Sequence, residues 1–205
     1  MGAKLGQNNV KGEATKAAIL DAAAAALAES GYRGASLAGI AERAGVTQSG
    51  LLHHFGSKED LLLAVLDEHG RHDDALLARP LGRGGLGVIA GLRDLLAEYA
   101  NDRVSVRLFV VLVAESTSPE HPGHAYMRDR YEKLRNRLVG SLLVGVDRGE
   151  FAADADLESL STGLIALMDG VQLQWVYNSA IDMPAAFEVL ATALARDLGA
   201  LGPAD

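Results

Sequence analysis

Apolar positions recur with helical period along nearly the whole chain, and no stretch alternates apolar and polar residues as a half-buried strand does. After a polar arm over residues 1–14, the pattern predicts a helix capped by Thr15. It carries Ile19, Ala23, Ala26 and Leu27 along one side and stops at Gly31. Ser36 is placed to cap a short second helix with Leu37, Ile40, Ala41 and Ala44 facing inward, ended by Gly45. Thr47 caps a third, running through His54, and Ser57 a fourth, whose first turn holds the acidic Glu59 and Asp60 that a helix N-terminus favours. Leu61, Leu62, Val65 and Leu66 give this fourth helix an apolar side, which makes it the connector to the rest of the chain. Past Arg79-Pro80 and the glycine-rich Gly82 to Gly87, longer helices are predicted at about 88–100, 102–117, 124–148, 157–179 and 183–199. Asp156 caps one of them, and Asp182 with Pro184 opens the last. The expected fold is therefore all-α: a small helix-turn-helix domain over 15–60 and a larger helical domain over 61–205.

Composition narrows the classes. The 205 residues contain no cysteine, which removes disulfide scaffolds, thiol catalysis and cysteine-ligated zinc. Glu29, Asp94, Glu98, Glu115 and Asp169 interrupt every candidate apolar run before the ~18 residues a membrane span needs. The first residues are polar and lack the apolar centre of a secretion signal, so a cytoplasmic address is expected. The net charge of −8 is unevenly spread. Residues 1–58 hold six basic against four acidic residues, a net of +2, which leaves −10 for the remainder. An acidic body with a less acidic head permits the head to meet phosphates.

The head holds the most informative spacing. Ala41 lets the second helix of a pair cross closely, Gly45 turns the chain where positive φ is expected, and Leu51 anchors the later helix from beneath. Thr47, Gln48, Ser49, Gly50 and His53 are then left facing away from the core, as a groove-reading surface requires. On spacing alone, a small three-helix packing unit with a polar outer face competes with this.

The stretch from Thr15 to about Asp67 resembles the N-terminal domain of the TetR family of transcriptional regulators. The resemblance is carried by Ile19-Leu20-Asp21-Ala22-Ala23, Gly31-Tyr32-Arg33-Gly34, Ile40-Ala41-Glu42-Arg43-Ala44-Gly45-Val46-Thr47 and the run from Leu51-Leu52-His53-His54-Phe55-Gly56 to Ser57-Lys58-Glu59-Asp60-Leu61. It implies that Thr47, Gln48, Ser49 and His53 face the major groove of a double-stranded DNA operator, with Gln48 the best donor-acceptor pair for a base edge. It also implies that Ser36, His54 and Lys58 lie near phosphates, Lys58 at a helix N-terminus. Two positions depart from the family pattern: Leu52 where a tyrosine is frequent, and Gly50 where a hydroxyl residue is common. The two missing hydroxyls imply weaker nonspecific affinity or contacts moved onto His53.

For the body, the family implies a small-molecule effector of unknown identity and a homodimer formed through the last two helices. Gly163, Ala166 and Gly170 line one side of the 157–179 helix, where either an intrachain neighbour or a symmetry mate approaches. A twofold assembly would read two half-sites, which a lone head cannot. The effector-site candidates are Tyr99, Phe109, Glu115, Tyr126, Met168, Asp169, Gln172 and Trp175, set against plain core packing. Glu115 and Asp169 stand out as carboxylates inside apolar segments, each needing a partner if buried. His69 with His72, and His121 with His124, have spacing that brings two imidazoles together. No third ligand is fixed, so solvated histidines rather than a metal site are expected.

No nucleophile elbow, phosphate loop or dinucleotide fingerprint occurs. Gly82 to Gly87 follows no strand and lacks the Gly-Lys-Ser/Thr ending, and is expected to be a mobile connection. No cofactor, metal, membrane association or enzymatic activity is expected. The leading expectation is a ligand-responsive DNA-binding repressor. Its rival is a helical small-molecule-binding protein or enzyme whose head no longer engages DNA.

Overall fold

The structure, a computed structural model, describes residues 2–200, with side chains from Gly12 onward. Its helices are α1 (Gly2–Gly34), α2 (Leu37–Arg43), α3 (Gln48–Phe55), α4 (Lys58–Arg83), α5 (Gly87–Tyr99), α6 (Arg103–Glu115), α7 (His124–Asp147), α8 (Leu157–Tyr177) and α9 (Met183–Asp197). Among the described residues the β content is one isolated antiparallel bridge, Phe151 to Ala200. Capping chemistry explains why the boundaries fall where they do. Ser36 accepts from Gly39 N–H at 3.1 Å, Thr47 from Gly50 N–H at 3.1 Å and Ser57 from Asp60 N–H at 3.0 Å. Asp156 and Asp182 do the same for Ser159 N–H (2.9 Å) and Ala185 N–H (3.0 Å).

Two expectations are corrected. The helix start expected at Thr15 is absent, because α1 already runs from Gly2 and Thr15 lies inside it; no proline between residues 2 and 30 interrupts the ladder. The helix does break at Gly31, where φ is +69°. Pro80 lies within α4. Proline's fixed φ suits a helix, so the cost is one ladder bond in the last turns. The bare Cα of Gly91 on α5 packs here: a Cβ at Gly91 would come within 2.6 Å of Pro80 Cα.

The second correction concerns the glycine-rich connection, which is held in place. Gly84 and Gly85 both have positive φ, and Gly85 N–H donates to Ser141 O at 2.9 Å. The Glu150 carboxylate accepts from Leu86 N–H at 2.7 Å and covers Gly85. A side chain from far along the sequence thus places negative charge at the start of α5, where Leu86 offers no side-chain cap.

The chain divides into two compact units. The first comprises residues 1–69 with Arg107–Tyr126, the second Gly70–Val106 with residues 127–205. In the first, Ile19, Ala23, Leu27, Ile40, Ala41, Leu51, Phe55, Leu61, Leu62, Val65, Leu108 and Leu112 are buried. In the second, Val88, Leu92, Leu95 and Leu96 of α5 form a core with Leu138 and Leu142 of α7, Leu160 and Leu164 of α8, and Phe187, Ala191 and Ala195 of α9. Burial of such side chains stabilises each unit by roughly 1.5–3 kcal/mol per large apolar residue.

Candidate nucleic-acid interface

The corner between α2 and α3 is built as its residues require. Ala41 and Leu51 are 2% and 0% exposed. The end of α2 is a Schellman motif: Val46 N–H bonds Ala41 O at 3.0 Å, Gly45 N–H bonds Glu42 O at 3.1 Å, and Gly45 takes φ +69°. No heavy atom lies within 4 Å of a Cβ placed on Gly45, so it is the left-handed backbone, not crowding, that demands glycine. Arg43 ties α2 to α1 through Glu29 at 2.9 Å.

With the apolar side turned inward, Thr47, Gln48, Ser49, His53 and His54 are all exposed, as is Ser36. The hydroxyls are partly engaged. Ser36 and Thr47 cap their own helices, and Ser49 Oγ lies 3.1 Å from Thr47 Oγ1. Gln48, the first residue of α3, is exposed and has no capping role. Lys58 is half-buried, and its ammonium lies 4.6 Å from the centroid of the Tyr32 ring. The start of α4 also carries its own carboxylate, since Asp60 accepts from Ser57 O–H at 2.7 Å.

The effector candidates are distributed over both units. Phe109, Glu115 and Tyr126 belong to the first, where Tyr126 O–H donates to Leu66 O at 2.7 Å and Glu115 accepts from Tyr32 N–H at 2.7 Å. Tyr99, Met168, Asp169, Gln172 and Trp175 belong to the second. Met168 and Trp175 are core residues, and buried Gln172 donates to Met168 O at 3.1 Å. Arg103 stacks over Trp175 at 5.4 Å and donates to Val176 O.

Asp169 accepts from Tyr131 O–H at 2.7 Å. Burial pushes the Asp169 carboxyl up despite that bond and the nearby Arg130. Tyr99 donates to Asp73 at 3.2 Å, and Arg130 pairs with the same carboxylate at 2.8 Å. Asp73, Arg130 and Tyr131 thus join a half-buried polar network that the sequence pattern did not single out, because its members come from α4 and α7 and meet only in three dimensions.

The histidine turn is also corrected. His121 is 7% exposed at its side chain rather than solvated, because the segment after α6 folds back on itself. Gly123 N–H donates to His121 Nδ1 at 3.1 Å, and His124 Nδ1 lies 2.8 Å from Ser116 O. Burial holds the His121 imidazole below its ordinary titration range, Glu115 opposing this and Arg33 adding to it. A depressed folded pKa contributes stability that is present above the ordinary value and lost as pH falls through the folded one. The urea midpoint of the full chain should therefore decline between about pH 7 and 5, and His121→Gln should flatten that decline; equal slopes for both proteins would contradict this assignment. Among the described residues, no group of three or more His, Cys, Asp or Glu side chains is placed to hold a metal ion, and no helix is long and apolar enough to cross a membrane.

Residues 19–65 match the bacterial regulatory proteins of the tetR family, and residues 88–199 match the C-terminal domain of BetI-type transcriptional repressors. The HTH-type transcriptional repressor AcnR of Corynebacterium glutamicum is 31% identical over 153 residues, covering 74% of this chain and 77% of its own. KstR2 of Mycobacterium tuberculosis strain H37Rv, also an HTH-type transcriptional repressor, is 28% identical over 157 residues, covering 68% and 70%. In structure, the chain resembles GusR of Salmonella enterica (TM-score 0.73, 25% identity, 89% and 95% covered). It shares its fold with a regulator from Chloroflexus aurantiacus (TM-score 0.77, 23% identity, 93% and 99% covered). The chain belongs to the TetR family of bacterial transcriptional regulators, and its C-terminal domain is of the BetI type.

Proposed function

We propose that the protein is a homodimeric repressor that binds a double-stranded DNA operator through α3 and is released by a small-molecule effector bound in its C-terminal domain, acting in the cytoplasm where DNA is. The observation that carries this is the exposed polar face of α3, mounted on a corner in which Ile40, Ala41 and Leu51 are buried. Gln48 reads base edges with Thr47, Ser49 and His53 beside it, while Ser36, His54 and Lys58 lie toward phosphates. Relatives named as repressors support repression as the output. The rival in which the head is idle has no comparable support.

Dimerisation is proposed through α8 and α9. Leu173 (44% exposed) and Tyr177 (86%) on α8, with Val189 (71%) and Leu190 (49%) on α9, are large apolar side chains left uncovered in the single chain. Ala166 is exposed among them, and Gly170 has no heavy atom within 4 Å of a Cβ placed on it. Gly163 is used within the chain, since a Cβ there would lie 2.3 Å from Leu194 Cδ2 on α9. A second copy fits this surface because twofold symmetry presents the same apolar patch from both sides.

The effector site is proposed in the second unit, around Tyr99, Asp169 and Gln172, with Met168 and Trp175 supplying apolar wall. Effector binding favours an arrangement in which α4, starting at Lys58, carries the recognition helices to a spacing that successive major grooves no longer accommodate. The differential affinity of the effector for the two arrangements supplies the energy. The test is a gel shift of the full chain against the DNA upstream of its own coding sequence. Retention at low salt supports the reading, and failure to retain any promoter fragment contradicts it.

A further inference from the structure

Gly31 breaks the path of α1 with φ +69°, which takes the N–H of Tyr32 out of the helical ladder. That N–H donates to Glu115 Oε2 at 2.7 Å, from the last residue of α6 and 83 positions away. The carboxylate fills the space over the bare Gly31: a Cβ there would lie 2.3 Å from Glu115 Oε1. His121 closes the other side. Its ring meets Tyr32 edge-on at 5.2 Å, and its Nε2, buried without a hydrogen-bond partner, lies 4.0 Å from Glu115 Oε2. Tyr32 in turn carries the Lys58 ammonium on its ring face. A second strut, Arg107 to Glu29 O at 3.4 Å, joins α6 to α1 two residues before the break.

We propose that Glu115 is a positioning residue for DNA recognition: its carboxylate fixes the Gly31–Tyr32 corner, from which α2 and α3 set out. This removes Glu115 from the groups available to an effector. It rests on the reading that α3 binds DNA. In sequence, Glu115 stood out only as a carboxylate in an apolar segment, and its partner is a backbone amide.

The test compares the full-length chain with Glu115→Ala and Glu115→Gln, by hydrogen exchange at the Tyr32 amide and by affinity for two duplexes. One duplex is selected by the wild type from a random-sequence library, and the other is an unselected random duplex. Tyr32 exchange should accelerate about 10-fold to 100-fold in Glu115→Ala, the factor expected for losing a bond to a charged group. Affinity for the selected duplex should fall about 10-fold, with affinity for the random duplex within about twofold of wild type. Glu115→Gln keeps an acceptor oxygen in the same place, so it should restore Tyr32 protection and selected-duplex affinity to within about threefold of wild type. Unchanged Tyr32 exchange in Glu115→Ala, or equal losses on both duplexes, overturns the proposal. Should the alanine variant not fold, a glutamine variant that loses both protection and selectivity overturns it equally. If the wild type selects no duplex, the DNA-binding reading fails, while the exchange arm still reports on the corner itself.

Discussion

Val189→Glu together with Leu190→Glu should convert the protein from a species of twice 21.5 kDa to one of 21.5 kDa in light scattering, and should weaken operator binding by about 100-fold or more. Both side chains are open to solvent in the single chain, at 71% and 49% exposure, so charge costs the monomer fold little. In a twofold interface, the same substitutions bury four carboxylates without partners, a penalty of several kcal/mol per unpaired ion. DNA binding falls because the second head no longer benefits from the effective concentration the first provides. Gly163→Ala is the informative contrast. Its new methyl group meets Leu194 of the same chain, so it should lower the unfolding midpoint while leaving a folded dimer at low temperature. A glutamate double variant that stays dimeric would move the interface away from α8 and α9.

Gln48→Ala and Lys58→Ala should separate reading of sequence from attraction to phosphate. Gln48 is exposed at the first position of α3 and caps nothing, so its loss leaves the fold intact. It should cost about 1–3 kcal/mol on the preferred operator and relax preference at one base position in each half-site. Lys58→Ala should weaken all duplexes alike and reduce the salt dependence of binding by about one phosphate contact per head. Thr47 is a poorer probe: its hydroxyl caps α3, so Thr47→Ala costs about 1 kcal/mol of stability and confounds the comparison. Titration of binding against salt for each variant checks both expectations. A Gln48→Ala protein with unaltered base preference would show that other side chains read the operator.

What was legible in the sequence is what local chemistry decides. Ser36, Thr47, Ser57, Asp156 and Asp182 each satisfy helix N–H groups within three residues, so the helix starts they mark were readable without tertiary information. Gly45 was legible for the same reason, since its positive φ closes α2 through bonds to Ala41 and Glu42.

The connection at Gly82 to Gly87 looked mobile because its order comes from Glu150, 64 positions away from the N–H it accepts. Glu115 followed the same logic. A carboxylate in an apolar segment announced the need for a partner, but nothing near it in sequence named Tyr32. The polar network of Asp73, Tyr99, Arg130, Tyr131 and Asp169 was half legible: Tyr99 and Asp169 stood out, while their partners, on other helices, did not.

The most direct test of the account is selection of duplexes from a random-sequence library by the full-length protein at low salt, followed by sequencing. The expected result is enrichment of a twofold-symmetric sequence whose half-sites lie about one helical turn or a multiple of it apart, with preference at the bases lost in Gln48→Ala. Recovery of unenriched sequence, or of a single asymmetric site bound by one chain, would contradict it.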